Sequence, residues 1–211
     1  MKICEIYECI IGEGSFIGYP GVIIRLTGCN LRCSWCDTKF AFEEGKDFTL
    51  KSIYHKLQKY KRDIILVTGG EPLYQKDTPI LISELLNRNY KVLLETNGSF
   101  DITVIDNRCV KIVDCKLPNS GMMDKMRWNN FEKINSIDEV KFVIADRNDY
   151  NTARKIATEY KLTSQTDKVY ISPVSTMLDI RQCIEWILSD NIPFRLNIQL
   201  HKMIYGDKRG V

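Results

Sequence analysis

The stretch Val22-Ile23-Ile24-Arg25-Leu26-Thr27-Gly28-Cys29-Asn30-Leu31-Arg32-Cys33-Ser34-Trp35-Cys36-Asp37-Thr38 decides how the chain is read. Its first part is apolar and β-branched, as strands are. It runs into a short segment with three cysteines at Cys-x3-Cys-x2-Cys spacing. A strand ending in such a loop is able to aim three thiolates at one point. Soft thiolates suit iron–sulfur clusters, zinc or copper(I). Three cysteines leave one corner of a cubane cluster without a protein ligand. An open iron can bind and reduce a small molecule, whereas a four-cysteine cluster mainly passes electrons. A zinc site wants a fourth Cys or His nearby, and the only histidines, His55 and His201, lie outside this loop.

Working outward, residues 2–9 alternate apolar and polar, the pattern of a strand with one buried face. After Ile10-Ile11 comes Gly12-Glu13-Gly14, a turn whose glycines let a ligand approach the backbone. Taken alone it reads as a plain turn. Arg25 interrupts the apolar strand, so its guanidinium either reaches the surface or grips a ligand carboxylate in a cavity. Thr49 is placed to cap a helix with Ile53 and Leu57 on one face. Strands are expected at 64–68, 91–95, 110–114, 138–144, 168–171 and 194–199. The run 64–68 is continuously apolar, as a strand covered on both faces would be. Helices are expected at 77–89, with Ile80, Leu81 and Leu85 on the apolar side, and at 148–160 and 179–188. The stretch 122–137, with Met122, Met123, Met126, Trp128 and Phe131, reads as a short amphipathic helix or a lid.

Strands alternating with helices along the whole chain predict an α/β fold with a mainly parallel sheet and right-handed crossovers. The 211 residues fall short of the roughly 250 of a complete eight-unit barrel. The expected architecture is a single-domain partial (open) β/α barrel over 1–211. The polar motifs fall at the C-terminal ends of the predicted strands, where parallel sheets place their ligands.

A net charge of +3 gives no electrostatic footprint for nucleic acid. No apolar run approaches the roughly 18 residues that would span a bilayer. Met1-Lys2-Ile3-Cys4-Glu5 lacks the layout of a secretory signal, so a cytoplasmic location is expected. In a reducing compartment eight cysteines read as ligands, catalysts or core rather than disulfides. Cys4, Cys9, Cys109, Cys115 and Cys183 show no second cluster spacing, and most read as buried small hydrophobes.

The cysteine motif resembles the signature of radical S-adenosylmethionine (SAM) enzymes. Gly69-Gly70-Glu71-Pro72, one β-α unit later, resembles the Gly-Gly-Glu motif of the same superfamily. Its glycines let the main chain approach a ligand, and a carboxylate matches an ammonium; on its own it is also a plain strand-to-helix turn. Within the superfamily the chain is similar to the 7-carboxy-7-deazaguanine synthase family. Besides these motifs, that similarity rests on Gly12-Glu13-Gly14, Arg25 to Cys33, Trp35 to Thr38, Thr68, Glu95-Thr96-Asn97-Gly98, Glu139-Val140-Lys141-Phe142 and Gln199-Leu200-His201-Lys202.

The resemblance implies a radical SAM enzyme that turns 6-carboxy-5,6,7,8-tetrahydropterin into 7-carboxy-7-deazaguanine, with ring contraction and loss of ammonia, toward queuosine and related 7-deazapurines. Cys29, Cys33 and Cys36 would hold a 4Fe-4S cluster. Thr38 would ligate Mg2+ through its hydroxyl, an oxygen donor that suits a hard cation. Arg25 would bind the substrate carboxylate. Ile10, Ile11 and Gly12 would line the pterin site within a substrate loop in residues 1–21, and Thr68 would hydrogen-bond the pterin. SAM would meet Trp35, Cys36, Asp37, Gly70, Glu71, Asp114, Cys115, Lys116, Ser172, Pro173, Val174 and Ser175. An external donor such as flavodoxin or ferredoxin would reduce the cluster. The deoxyadenosyl radical would then take hydrogen from C6 of the substrate and return it after rearrangement. The resemblance also implies a homodimer. The tail, 200–211, departs from the family pattern, and Lys208-Arg209 reads as a solvated end. The rival readings are an activase that installs a glycyl radical on another protein, a non-enzymatic iron–sulfur electron carrier, and a zinc module.

Overall fold

In the computed structural model, which describes residues 1–206 and 208–211, a nine-stranded sheet organises the chain. The strands are β1 (Lys2–Ile10), β2 (Pro20–Leu26), β3 (Lys46–Asp47), β4 (Ile64–Gly69), β5 (Lys91–Thr96), β6 (Val110–Cys115), β7 (Glu139–Ile144), β8 (Val169–Pro173) and β9 (Arg195–Leu196). Their order is β3-β1-β2-β4-β5-β6-β7-β8-β9. β1 runs antiparallel to both β2 and β3, and every pair from β2 to β9 is parallel. The chain therefore forms the expected partial barrel.

Helices α1 (Leu50–Leu57), α2 (Thr78–Asn87), α3 (Arg147–Glu159) and, after the short α4 (Leu162–Gln165) that extends α3, α5 (Ile180–Ser189) follow strands, and α6 (Leu200–Tyr205) opens the tail. Thr49 caps α1 as expected, its hydroxyl accepting from Ser52 N while Ser52 answers with the reverse bond.

Strand side chains alternate between two faces. Ile24, Leu26, Val67 and Leu94 bury against Ile53 and Leu57 of α1 and Leu81, Ile82 and Leu85 of α2. Cys115, Val140, Phe142 and Ile171 bury with Tyr150, Ala153 and Cys183 of α3 and α5. The opposite phase, which includes Ile23, Arg25, Leu66, Thr68 and Ile112, faces a cavity. Arg25 interrupts an apolar strand because its phase points there and not into the core.

Some local expectations fail for readable reasons. Ile80 is 55% exposed; it shares a helical stripe with Glu84 and Arg88, which pair across one turn, and the buried face is set by Leu81, Ile82, Leu85 and Leu86. Residues 122–137 form tight 3-10 turns at Met123–Lys125 and Trp128–Glu132. Met126 and Phe131 are buried there, and Trp128 stacks on Tyr160 at 6.2 Å, so this segment is core and not a lid. Only Arg195–Leu196 of the expected last strand joins the ladder. Cys9, Cys109, Cys115 and Cys183 are buried, while Cys4 stays partly exposed beside Arg209.

Candidate active site

A cavity of about 750 Å³ opens at the C-terminal ends of the parallel strands, well within the size range of small-molecule sites. Register explains its lining. Arg25 lies beside Thr68 across β2–β4, and Leu26 beside Gly69, so the cysteine loop and the Gly-Gly turn leave the sheet together. Gly70 N donates to Leu26 O (3.1 Å), and Glu71 N to Gly28 O (2.8 Å). A Cβ on Gly70 would fall 2.2 Å from Gly28 O, so only glycine permits this approach. On the other side, Ser34 N and Oγ donate to Ser120 O and Asn119 O, fixing the cysteine loop against the turn after β6.

Cys29, Cys33 and Cys36 are free, partly exposed and on the wall of this one cavity. Burial pushes the Cys29 and Cys33 thiols up, while the Leu31 N–H, 3.4 Å from Cys29 Sγ, and the Lys116 ammonium pull the other way. Among the described residues no three Cys, His, Asp or Glu side chains converge closely enough for a single metal ion. Three free thiols on the wall of one cavity are the donor type an iron–sulfur cluster takes.

Trp35, Asp37, Thr38, Gly70, Asp114, Lys116, Ser172, Pro173, Val174 and Ser175 line the same cavity, as do Ile10, Ile11, Gly12, Arg25 and Thr68. Two of the expected contact residues lie off the cavity wall. Glu71 is 0% exposed and turned beneath the loop, where it accepts from Leu73 N (2.9 Å), Thr96 Oγ1 (2.8 Å) and Asn97 N (2.6 Å). Burial pushes its carboxyl up to about 7 against those three donors. It shapes the Gly-Gly turn from below. Cys115 is likewise 0% exposed, because strand alternation sends Asp114 to the cavity and Cys115 to the helix side.

Arg25 is held by Glu5 (Nε to Oε2, 3.0 Å) and donates to the Tyr7 hydroxyl (3.3 Å), which leaves the rest of its fork toward the cavity. Thr68 Oγ1 donates to Glu95 (2.7 Å), and Thr38 Oγ1 to Asp37 (3.1 Å). Lys116 pairs with Asp114 at 2.8 Å.

Several further lining groups stand in the sequence only as parts of motifs. Glu13 accepts from Lys141 Nζ (3.1 Å), Asn197 Nδ2 (3.0 Å) and Gln199 Nε2 (2.6 Å), which ties the loop after β1 to β7 and to the segment before α6. A Cβ on Gly12 would meet His201 at 2.5 Å, so α6 sits directly on this loop. The signal for Lys141 is the one that picked out Arg25, a lone cation inside an apolar strand. Lys208 and Arg209 are exposed, as expected of a solvated end, yet Arg209 is also tied down. Arg209 bonds Glu44 (3.0 Å) and Glu5 (3.2 Å) and lies 3.5 Å over the Phe40 ring, and Lys208 to Val211 line the cavity. Asp207, within the tail, lies outside the described residues.

An open parallel sheet with three cysteines after β2 and a Gly-Gly turn after β4 defines the radical SAM class, and the radical SAM superfamily profile matches residues 23–111. The 7-carboxy-7-deazaguanine synthase of Koribacter versatilis is 36% identical over 97% of this chain and 97% of its own length. That of Chlorobaculum tepidum is 38% identical over 100% of this chain and 97% of its own. The crystal structure of QueE from Escherichia coli superposes with a TM-score of 0.80 at 25% identity, covering 95% of this chain and 94% of that one. The chain belongs to the 7-carboxy-7-deazaguanine synthase family of radical SAM enzymes. Membership in that superfamily implies a 4Fe-4S cluster and SAM. Among the described residues no helix is long and apolar enough to cross a membrane.

Proposed function

We propose that this enzyme converts 6-carboxy-5,6,7,8-tetrahydropterin to 7-carboxy-7-deazaguanine, with loss of ammonia, for 7-deazapurine synthesis. The observation that carries the reading is one cavity shared by the three cysteines and Arg25. A glycyl-radical activase shares the cluster but does not need a buried guanidinium for a small carboxylate, and an electron carrier needs no cavity of this size.

Cys29, Cys33 and Cys36 hold the cluster. When bound, cluster and SAM together supply the carbon radical that starts the chemistry. The Gly70 backbone, with Trp35, Asp37, Asp114, Lys116 and the segment Ser172 to Ser175, binds SAM. The Arg25 guanidinium binds the substrate carboxylate, pre-positioned by Glu5 and Tyr7. The Ile10, Ile11 and Gly12 backbone and the Thr68 hydroxyl hold the pterin ring. The Thr38 hydroxyl would offer an oxygen to Mg2+, a hard cation that suits such a donor. The walls and tail exclude bulk water from the reacting centre.

An acidic one-electron carrier such as flavodoxin or ferredoxin supplies the electron, in a reducing cytoplasm. The protein works as a homodimer; the exposed apolar stripe Ile180, Ile184 and Leu188 on α5 supports self-association. The test is anaerobic turnover of the reconstituted protein with SAM, the pterin and Mg2+. Formation of 7-carboxy-7-deazaguanine is expected. SAM cleavage without that product counts against the reading.

A further inference from the structure

We propose that Asn97 raises the reduction potential of the iron–sulfur cluster by donating a side-chain N–H to the Cys29 sulfur. This rests on the three cysteines holding a cluster and adds a residue from a different strand that acts on it.

Asn97 follows β5, across the cavity edge from the cysteine loop, and is 7% exposed. Its amide cannot be turned round. Oδ1 accepts from Ser99 N (3.0 Å), a group that only donates, and from Ser99 Oγ (2.6 Å). The NH2 end therefore faces the loop. One of its hydrogens goes to Asn30 Oδ1 (3.2 Å), and the same Nδ2 lies 3.8 Å from Cys29 Sγ. Asn30 Nδ2 closes the ring by donating to Ser99 Oγ (2.9 Å). The backbone is fixed as well, since Asn97 N donates to buried Glu71 at 2.6 Å.

Every other polar site of the side chain is used, so the remaining N–H has the sulfur as its acceptor. A buried amide with an unused N–H would be unfavourable. An N–H···S bond withdraws electron density from a thiolate ligand and stabilises the extra electron of the reduced cluster, which moves the potential upward. The Leu31 N–H on Cys29 is a main-chain donor that any residue but proline supplies there. Asn97 is the donor chosen by side chain. Among the described residues the Cys33 and Cys36 sulfurs receive no N–H, so the effect is concentrated on one corner.

The experiment is an EPR-monitored redox titration of the reconstituted holoenzyme without SAM, alongside iron and sulfide analysis. Asn97→Leu keeps the branching at Cγ and removes the donor. At the wild-type midpoint its reduced-to-oxidised ratio should fall about tenfold, a shift of about 59 mV for a one-electron couple. Asn97→Asp also adds negative charge and should fall further. Ser99→Ala loosens the amide from outside the cavity and should shift the midpoint in the same direction by less. An unchanged midpoint in Asn97→Leu at wild-type iron and sulfide content overturns the proposal. If Asn97→Leu takes up no cluster, an unchanged midpoint in Ser99→Ala overturns it. Absence of iron and sulfide from the reconstituted wild-type chain would instead remove the cluster reading itself.

Discussion

Replacing Lys141 with methionine keeps the stem and removes the ammonium that faces Glu13. The pair is 3.1 Å apart, with side chains 13% and 15% exposed. Breaking a buried pair from one side costs about 3–5 kcal/mol. Here the abandoned carboxylate keeps the Asn197 and Gln199 amides and opens on cavity water, so the cost falls to about 2 kcal/mol. In a chain of this size that lowers the thermal midpoint by about 4–8 °C. The pH dependence carries the sharper sign. Burial pushes the Glu13 carboxyl up, but Lys141, Gln199 and Asn197 outweigh it and hold it below the ordinary 4.5. A depressed carboxyl contributes stability that is present above 4.5 and lost as pH falls through the folded value. The wild type therefore loses this contribution only in acid. Without Lys141, burial prevails and the carboxyl shifts upward, so the variant should be less handicapped near pH 5 than near pH 8. Thermal melts of Lys141→Met, Glu13→Gln and the double variant, anaerobically at both pH values, check this. Losses that simply add in the double variant, or a midpoint moved by less than about 1 °C, would refute the reasoning.

Arg25→Ala should weaken pterin binding at least about 30-fold while sparing SAM cleavage, since losing one side of a buried charge pair costs about 2–5 kcal/mol; substrate KM and 5′-deoxyadenosine yield, measured separately, decide it. Glu71→Gln should flatten stability between pH 4.5 and about 7. A carboxyl raised by burial contributes stability that is full below 4.5 and is lost as pH rises through about 7, so denaturant melts across that window check it. Removing Lys208 to Val211 should raise the substrate KM severalfold and leave the Tm within about 2 °C, because Arg209 is 45% exposed and its ion pairs add little to stability.

Much of the fold was legible because β-branched runs and helical stripes announce themselves, and the cavity followed from motifs that all sit at strand ends. Arg25 was legible as a lone charge in an apolar strand. Lys141 carries the same mark, and strand alternation would have sent Cys115 away from the cavity once Asp114 faced it. Glu71 was not legible, since a carboxylate after two glycines fits a ligand ammonium as well as three donors of its own loop. The tail was hidden for a similar reason. Arg209 looks like any terminal cation until Glu5, Glu44 and Phe40, far apart in sequence, come together as its socket. The amide of Asn97 faces Cys29 only because two loops from non-adjacent strands meet.

The central claim is an iron left open by a trio of cysteines inside the pterin cavity. ENDOR spectroscopy of the reduced cluster with 15N- and 17O-labelled SAM tests it most directly. The account predicts couplings from the methionine amino nitrogen and carboxylate oxygen to one unique iron. A cluster whose spectrum is indifferent to the labels, with all four irons held by protein, would contradict it.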